Sequence, residues 1–472
     1  MMNGSERHRL ELRLGNQLIG HLEYDSSQDA FQLGYTPAWQ ARGFPISPPL
    51  ALDGSASSAQ IRAYLGNLLP ENRGLEHLIE ALSVSRSNLF ALIHGIGRDV
   101  SGAVTFTLPA EPDVPTHFRP ITPEELLLRL EQPEIWPLEV WDGRPRLSVA
   151  GVQAKLNLLR LEGTLGFGEG ELCSTHLLKF EHHPHLVINE FVTMRLAALL
   201  GMPVVQVELH RVGKGDKSHR GLLVERFDRR LDEDGMRVRR RHMIDACQGL
   251  GFPVARKYER NFGDGRDVAH IREGVSLPRL FSLSVLCVNP AQARLDMLQW
   301  LLFNLCVNNH DAHGKNYSFF VSKAGLMPTP WYDLVNVGLY PEFNQHLAMA
   351  IGDEFAPEVV NTWQLLEMAE ACELPKRLLQ QTLHKMASDI LHQLDAAIAL
   401  VETDNPAELA YLARYRDDVE HRCHHFQAQA TLLPELQLYP DLVHPHGTQP
   451  SLEPMAGIAY NDPLFITLRS IK

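Results

Sequence analysis

Between residues 146 and 227 five short runs, RLSVAG, AKLNLLRL, THLLKF, VVQVELH and GLLVERF, read as strands. One helical segment, NEFVTMRLAALLG, lies among them and is closed by Gly201 and Pro203. The pattern predicts a twisted sheet with a single packed helix. After about residue 240 the strand signal fades, and long amphipathic segments replace it: LDMLQWLLFNLCVNN, NTWQLLEMAEACEL and KRLLQQTLHKMASDILHQLDAAIALVE. A chain written in this order builds a sheet-rich lobe first and a helical lobe second. Ahead of both, residues 11–33 alternate around a polar break at Gly15-Asn16, residues 57–100 turn to helical spacing interrupted at Pro70, and SGAVTFTLP returns to strand. These segments predict a first α+β unit. A proline-rich connector, EPDVPTHFRPITPEE, leads into a helix after Thr122 with Glu124 and Glu125 in its first turn, and a boundary is expected near 115–140.

With 472 residues, 44% hydrophobic and 21% charged, the chain has room for two or three globular units and is not disordered, collagen-like or coiled coil as a whole. Its net charge of -13 excludes the broad positive field of a protein that holds nucleic acid unaided, so DNA contact would need a local patch or a partner. No stretch approaches the ~20 apolar residues of a membrane span, and MMNGSERHRLELRLGN lacks the apolar run of a signal peptide. A cytoplasmic location is expected. The six cysteines are scattered without a CxxC pair and predict reduced core thiols.

The segment richest in chemistry is VNNHDAHGKNYSFF, which follows an apolar helix, precedes an expected strand and places Asp311 five residues before Asn316. That spacing matches the protein-kinase catalytic loop, where an Asp handles the substrate hydroxyl proton and an Asn ligates Mg²⁺. A second carboxylate is then needed for the metal, and MPTPWYDLVNV supplies Asp333 after a short hairpin. Lys315, in the same loop, is placed against the transferred phosphoryl group, where a positive charge stabilises the transition state. Upstream, RLSVAGVQAKLNLL offers a loop for phosphates, with Ala150, Gly151 and Val152 permitting close approach and Gln153 and Lys155 reaching in. Lys179 interrupts the apolar strand THLLKF and calls for a carboxylate or phosphate partner, which Glu190 on the next helix can provide. Glu225 and Phe227, at the end of GLLVERF, are candidates to meet adenine through their backbone, and Asp228 to meet the ribose. His313 completes the nucleotide-facing set.

SVAGVQAK, THLLKF, NEFVTMRLAALLG, ERFDRR, MIDACQGLGFPVARKYE, NNHDAHGKN and WYDL stand in one order, and the chain thereby resembles the HipA-type serine/threonine kinases, the toxin halves of bacterial toxin–antitoxin pairs. Fainter similarity at YTPAW, NLLPEN and IGRDVSGAV carries the resemblance over about the first 350 residues. It implies an α+β, protein-kinase-like two-lobe fold with an added N-terminal subdomain (1–140), a sheet-rich ATP lobe (141–230) and a mostly helical catalytic lobe (231–472) with an irregular tail from about 430. It also implies ATP and Mg²⁺ as cofactors, with Asp311 catalytic, Asn316 and Asp333 as metal ligands, Lys179 as the ATP lysine and Ser148 as a site of autophosphorylation. The implied partners are a HipB-like helix-turn-helix antitoxin that reads the operator DNA and a protein substrate, with glutamyl-tRNA synthetase as the example. The loop departs from the family's common TDGHAKN-like text in having His310 before the Asp and Gly314 before Lys315.

Other motifs have plainer readings. GFGEGE suggests a hairpin turn rather than a nucleotide loop, because its carboxylates repel phosphate. RFDRRLDEDGMRVRRR reads as a hairpin with a solvated basic surface. HRCHHF fits no zinc spacing, and NFGDGRD lacks the closing Glu of a calcium loop. Two rivals remain at this level: a pseudokinase that binds the antitoxin and tunes repression, and a small-molecule phosphotransferase sharing the Asp-x4-Asn logic.

Overall fold

The computed structural model describes residues 7–112, 114–146, 155–213 and 218–436. The N-terminal unit is a four-stranded antiparallel sheet, β1 (Arg7–Leu14), β2 (Gln17–Asp25), β3 (Ala30–Tyr35) and β4 (Val104–Thr107), in the order β3-β2-β1-β4. Its alternating residues face inward: Leu10, Leu12 and Leu22 are fully buried. Between β3 and β4 run α1 (Pro37–Arg42), α2 (Ser58–Gly66), α3 (Asn72–Leu82) and α4 (Leu89–Ile96). Ser57 and Gln60 close a reciprocal capping box on α2, and Pro70 falls in the break before α3.

Next come β5 (His117–Pro120), α5 (Pro123–Glu131) and a short two-strand ladder, β6 (Val140–Trp141) with β7 (Arg144–Pro145). The central sheet holds β8 (Lys155–Leu161), β9 (Thr164–Glu169), β10 (His176–Phe180), β11 (Val207–Val212) and β12 (His219–Glu225), with β5 at its edge, in the order β11-β12-β10-β8-β9-β5. Leu126 and Trp141 pack with Leu156, Leu158, Leu178 and Phe180 in one apolar core. The expected border at residue 140 is therefore corrected: residues before it belong with the central lobe, because β5 pairs with β9 at the edge of the central sheet while Leu126 of α5 and Trp141 of β6 pack into its core. The reading of GFGEGE is corrected too. The turn falls at Glu162-Gly163 (φ 49° and 79°), whereas Gly166 lies within β9, where a Cβ would come 2.3 Å from the Arg119 carbonyl oxygen.

Helix α6 (Leu186–Leu199) connects β10 to β11 and is buried around most of its circumference. After the hairpin β13 (Arg229–Leu231)/β14 (Val238–Arg240), β15 (Met243–Asp245) pairs with β16 (Ser318–Ser322), which forms a hairpin with β17 (Gly325–Pro328). The helical lobe comprises α7 (Ala246–Leu250), α8 (Leu277–Ser282), α9 (Pro290–Cys306), α10 (Thr362–Ala371), α11 (Lys376–Ile398) and α12 (Pro406–Leu432). Helix α12 runs to Leu432, and the tail expected from about 430 lies otherwise outside the described residues, which end at 436. All six cysteines are buried thiols. Among the described residues no helix is long and apolar enough to cross a membrane.

A buried charge cluster joins the N-terminal unit to the central lobe. Both oxygens of Asp228 accept from Arg226 (3.0 and 2.9 Å), Arg229 donates to Oδ2 at 2.6 Å, and the Gly102 N–H adds a fourth bond at 2.8 Å. Arg229 also donates to the carbonyls of Val100 and Gly102, both at 2.6 Å. Burial alone would raise the Asp228 carboxyl, but the two guanidiniums hold it at about 2, below its ordinary 3.8. Removing the carboxylate leaves two buried cations facing each other. Asp228→Ala should lower stability by about 3–5 kcal/mol, read as the urea unfolding midpoint. In the parent, this stabilisation is present above pH ~4 and fades as pH falls towards 2. A variant as stable as the parent would refute the assignment.

Candidate active site

A cavity of about 780 Å³ opens between the central sheet and the helical lobe. Its walls bring together Lys155, Lys179, Glu225, Phe227, Asp228, Asp311, His313, Lys315, Asn316 and Asp333. Ser148, Ala150, Gly151, Val152 and Gln153 lie outside the described residues.

The sheet supplies the positive side. Lys155 on β8 and Lys179 on β10 are directly opposite each other in an antiparallel pair, and both are buried. Like charges at such positions repel. Burial and Lys179 together push the Lys155 ammonium down to about 8. Lys179 stays charged because it donates to Glu190 Oε1 on α6 at 2.6 Å and to Asp333 Oδ1 at 2.7 Å, which outweighs burial and raises its pKa. The ion pair with Glu190 that the sequence called for is present. Asp333, whose side chain is partly exposed, is held at about 2 mainly by Lys179. Its backbone is left-handed (φ 59°), uncommon for a non-glycine and typical of strained functional positions. The loop is pinned where Trp331 exchanges backbone bonds with Pro203 and Val205, between α6 and β11.

The helical lobe supplies the negative side. Helix α9 is capped by Asn289 and ends at Cys306, and the chain reverses at Asn308 (φ 59°). Asn309 donates to Asn304 Oδ1 at 2.7 Å and accepts from the Asp311 N–H at 3.2 Å, which fixes the start of the loop. Asn316 Nδ2 closes the loop on the Asp311 carbonyl at 3.0 Å. Burial pushes the Asp311 carboxyl up to about 6, against the Tyr258 hydroxyl, which donates to Oδ1 at 2.6 Å. A carboxylate poised there can accept a proton near neutral pH. Burial keeps His313 neutral, and its ring meets Tyr258 edge-on.

Two expected roles change. Asp228 has all its bonds within the arginine cluster, so it is an interdomain strut and not a ribose contact. Lys315 donates to Asp245 Oδ2 at 2.7 Å and to Asn67 O and Oδ1 at 3.0 Å. Its three donors are spent, so it ties the loop to the N-terminal unit rather than facing a phosphoryl group. The Glu225 N–H is taken by the Gln206 carbonyl at 2.9 Å, and Phe227 stacks on Tyr332 at the cavity wall.

A family model described as the HipA-like C-terminal domain matches residues 147–394, and one described as the HipA N-terminal domain matches residues 10–107. The chain belongs to the HipA family. It is 50% identical over 417 residues to the serine/threonine-protein kinase toxin HipA of Shewanella oneidensis, covering 88% of this chain and 95% of that one. It is also 32% identical to the putative kinase Y4mE of Sinorhizobium fredii, over 76% of this chain and 85% of that protein. The solved Shewanella oneidensis HipA, in complex with HipB and its operator DNA, superposes with a TM-score of 0.85 at 49% identity, over 91% of this chain and 100% of that one. The protein is accordingly a HipA-type serine/threonine kinase. Its site contains residues that pattern reading passed over: Tyr258 and Lys257 from RKYE, Glu71 from NLLPEN, which pairs with Lys257 at 2.7 Å, and Asp245 and Asn67. Their segments were visible as motifs of this HipA chain, but their contacts span up to 248 residues.

Lys315→Met should leave the buried Asp245 carboxylate and Asn67 without their cation, costing about 3–5 kcal/mol. Thermal unfolding beside an equally conservative surface Lys→Met variant checks this; equal midpoints would return Lys315 to the list of free, ligand-facing cations.

Proposed function

We propose that this HipA-family kinase is the toxin of a toxin–antitoxin pair, transferring the γ-phosphoryl group of ATP, with Mg²⁺, to a protein serine or threonine in the cytoplasm. The observation that carries the reading is the pair of opposed buried lysines, Lys155 and Lys179, facing Asp311, Asn316 and Asp333 across one cavity. Both ammonium groups line the cavity wall, where the phosphates of a nucleotide triphosphate could share Lys179 with its carboxylates and favour the charged form of Lys155. Hard oxygen donors, the Asp333 carboxylate and the Asn316 amide oxygen, suit Mg²⁺, which is held by one or two protein groups together with substrate phosphates. Bound there, Mg²⁺ and ATP would supply the phosphoryl group and neutralise its charge.

The chain's own residues do the rest. Asp311 accepts the proton of the substrate hydroxyl, and Tyr258 fixes the carboxylate oxygen that does not take it. Lys179, aligned by Glu190, holds phosphate oxygens, and Lys155 adds charge as it takes up a proton. Phe227 packs beside the base. A phosphate on Ser148, next to the expected phosphate loop, would place about two negative charges beside those of ATP and silence the enzyme. The expected target is a component of translation, with glutamyl-tRNA synthetase as the example. A HipB-like antitoxin is the expected partner, and it would read DNA on behalf of this acidic chain, in keeping with the Shewanella assembly of HipA, HipB and operator.

Incubation of the purified chain with Mg²⁺-ATP should add phosphate at Ser148, seen by intact mass and peptide mapping. Asp311→Ala should lower the rate about 10²–10⁴-fold. A parent that binds ATP yet phosphorylates neither itself nor any protein of a translation extract would return the pseudokinase reading. A second outcome concerns Lys155, whose ammonium sits at about 8 before nucleotide binds. Phosphate favours its charged form, so ATP binding should take up roughly half a proton at pH 8 and close to none at pH 6.5. Calorimetry in buffers of different ionisation enthalpy measures this; buffer-independent heats at pH 8 would exclude Lys155 from the phosphate site.

A further inference from the structure

Helix α12 lies about ninety residues beyond the Asp311 and Asp333 loops in sequence, yet one of its faces is polar and turned inward. Tyr411, Tyr415, Asp418 and Arg422 recur at spacings of four, three and four, which aligns them along one stripe. Each reaches a segment that carries the site. Tyr411 accepts from Asn189 Nδ2 at 2.6 Å, and Tyr415 pairs with Thr193 at 2.8 Å, both on α6 beside Glu190. Arg422 donates to the Leu305 carbonyl (3.3 Å) at the end of α9 and to the Pro357 carbonyl (2.8 Å). Asp418 stands between them. Its Oδ1 and Oδ2 accept from Asn308 Nδ2 at 3.2 and 3.1 Å, and Oδ2 also accepts from Asn336 Nδ2 at 2.8 Å.

Asn308 and Asn336 belong to the two loops that matter most. Asn308 is three residues before Asp311, at the left-handed reversal that launches the loop. Because its amide nitrogen faces Asp418, its Oδ1 is left to accept from His310 Nε2 at 2.8 Å, which sets the orientation of the residue directly before Asp311. Asn336 is three residues after Asp333, and its backbone N–H and carbonyl are both clasped by the Asn189 side chain at 2.8 and 2.9 Å. The two loops also touch directly: a Cβ at Gly338 would come 2.1 Å from Asn308 Nδ2. One carboxylate on α12 thus holds the Asp311 loop and the Asp333 loop in register. It accepts amide bonds, and charge-assisted hydrogen bonds are stronger than neutral ones.

We propose that α12 is a positioning element of the kinase and that Asp418 is its positioning residue, fixing the distance between Asp311 and Asp333 without touching substrate. The inference rests on the proposed roles of those two aspartates. The site tolerates little displacement, since a shift of about 1 Å at a distant support can cost about 10²-fold in rate. The unfamiliar His310 then has a reason: it belongs to the Asn308–Asp418 clasp.

The geometry allows a swap. Asp418→Asn removes the charge and sets an Nδ2 against the Asn308 Nδ2 where Oδ1 accepted, which weakens the clasp, and Asn308→Asp disrupts it by setting two carboxylates together. The double variant restores a donor facing an acceptor, keeps an acceptor for Asn336 and one for His310, and puts Asp at a left-handed position that Asp tolerates. With the full chain and Mg²⁺-ATP, each single variant should lower the maximal phosphorylation rate about tenfold or more, with KM for ATP changed less than about threefold. The double variant should recover most of the loss. Hydrogen exchange provides a readout that needs no activity: amides of 307–316 and 333–338 should exchange faster in the single variants and return in the double, with little change in the thermal midpoint. Single variants that match the parent in both rate and exchange overturn the proposal. So do singles that lose rate and thermal midpoint together without recovery in the double. A parent that fails to phosphorylate, with the exchange pattern as expected, would leave the clasp standing and strike only the functional reading.

Discussion

Two lysines that oppose each other across a buried pair of strands are the constraint around which this molecule is arranged. Alone, Lys155 and Lys179 would be driven apart or deprotonated. They stay together because Glu190 reaches Lys179 from α6 and Asp333 reaches it from the loop after β17. The sheet, the packed helix and the helical lobe are thus tied at one ammonium group. The same arrangement explains why Asp333 tolerates a left-handed backbone: a bond to a buried cation and the Trp331 ladder to Pro203 and Val205 oppose the strain. A polyanion entering the cavity would compete with Asp333 for Lys179 and relieve the repulsion felt by Lys155. An empty resting state and a loaded state can therefore exchange partners without either burying an unpaired charge.

The sequence reveals such chemistry unevenly, for physical reasons. Strand alternation and helical spacing are local, so β8, β10, β11 and β12 and the helices α6, α9 and α11 could be read from the text, as could the loop between α9 and β16. The Lys179–Glu190 pair was accessible because an ammonium in an apolar strand needs a carboxylate, and one stood eleven residues on. The failures have a common source. Asp228 was expected at the ribose and Lys315 at the phosphoryl group because each lies beside the site in sequence, but a charge goes where its partners are. Arg226, Arg229 and Gly102 claim the first, and Asp245 with Asn67 claim the second. Edge strand β5 was missed as part of the central sheet because four residues between prolines carry little periodic signal. Tyr258, Glu71 and Asp418 lie in segments whose helical or loop character says nothing about what they touch.

Those missed residues share a pattern. The cavity is lined by kinase-like loops, yet it is held from outside by the N-terminal unit and by the last helix of the helical lobe. From the N-terminal unit, Asn67 engages Lys315, Glu71 engages Lys257 and Gly102 engages Asp228. From the far end, α12 grips α6, the Asp311 loop and the Asp333 loop through its polar stripe, and Glu408 near its start pairs with Arg220 of β12 at 2.9 Å. Strain at Asn308 and Asp333 is local, whereas its support is long-range, built from partly buried charge-assisted bonds between segments over a hundred residues apart. Such bonds, partly shielded from water, are costly to break singly and hard to reform out of register. On the proposed roles of Asp311 and Asp333, their spacing depends on bonds made from outside the cavity loops, by the N-terminal unit to Lys315 and by α12 to Asn308 and Asn336.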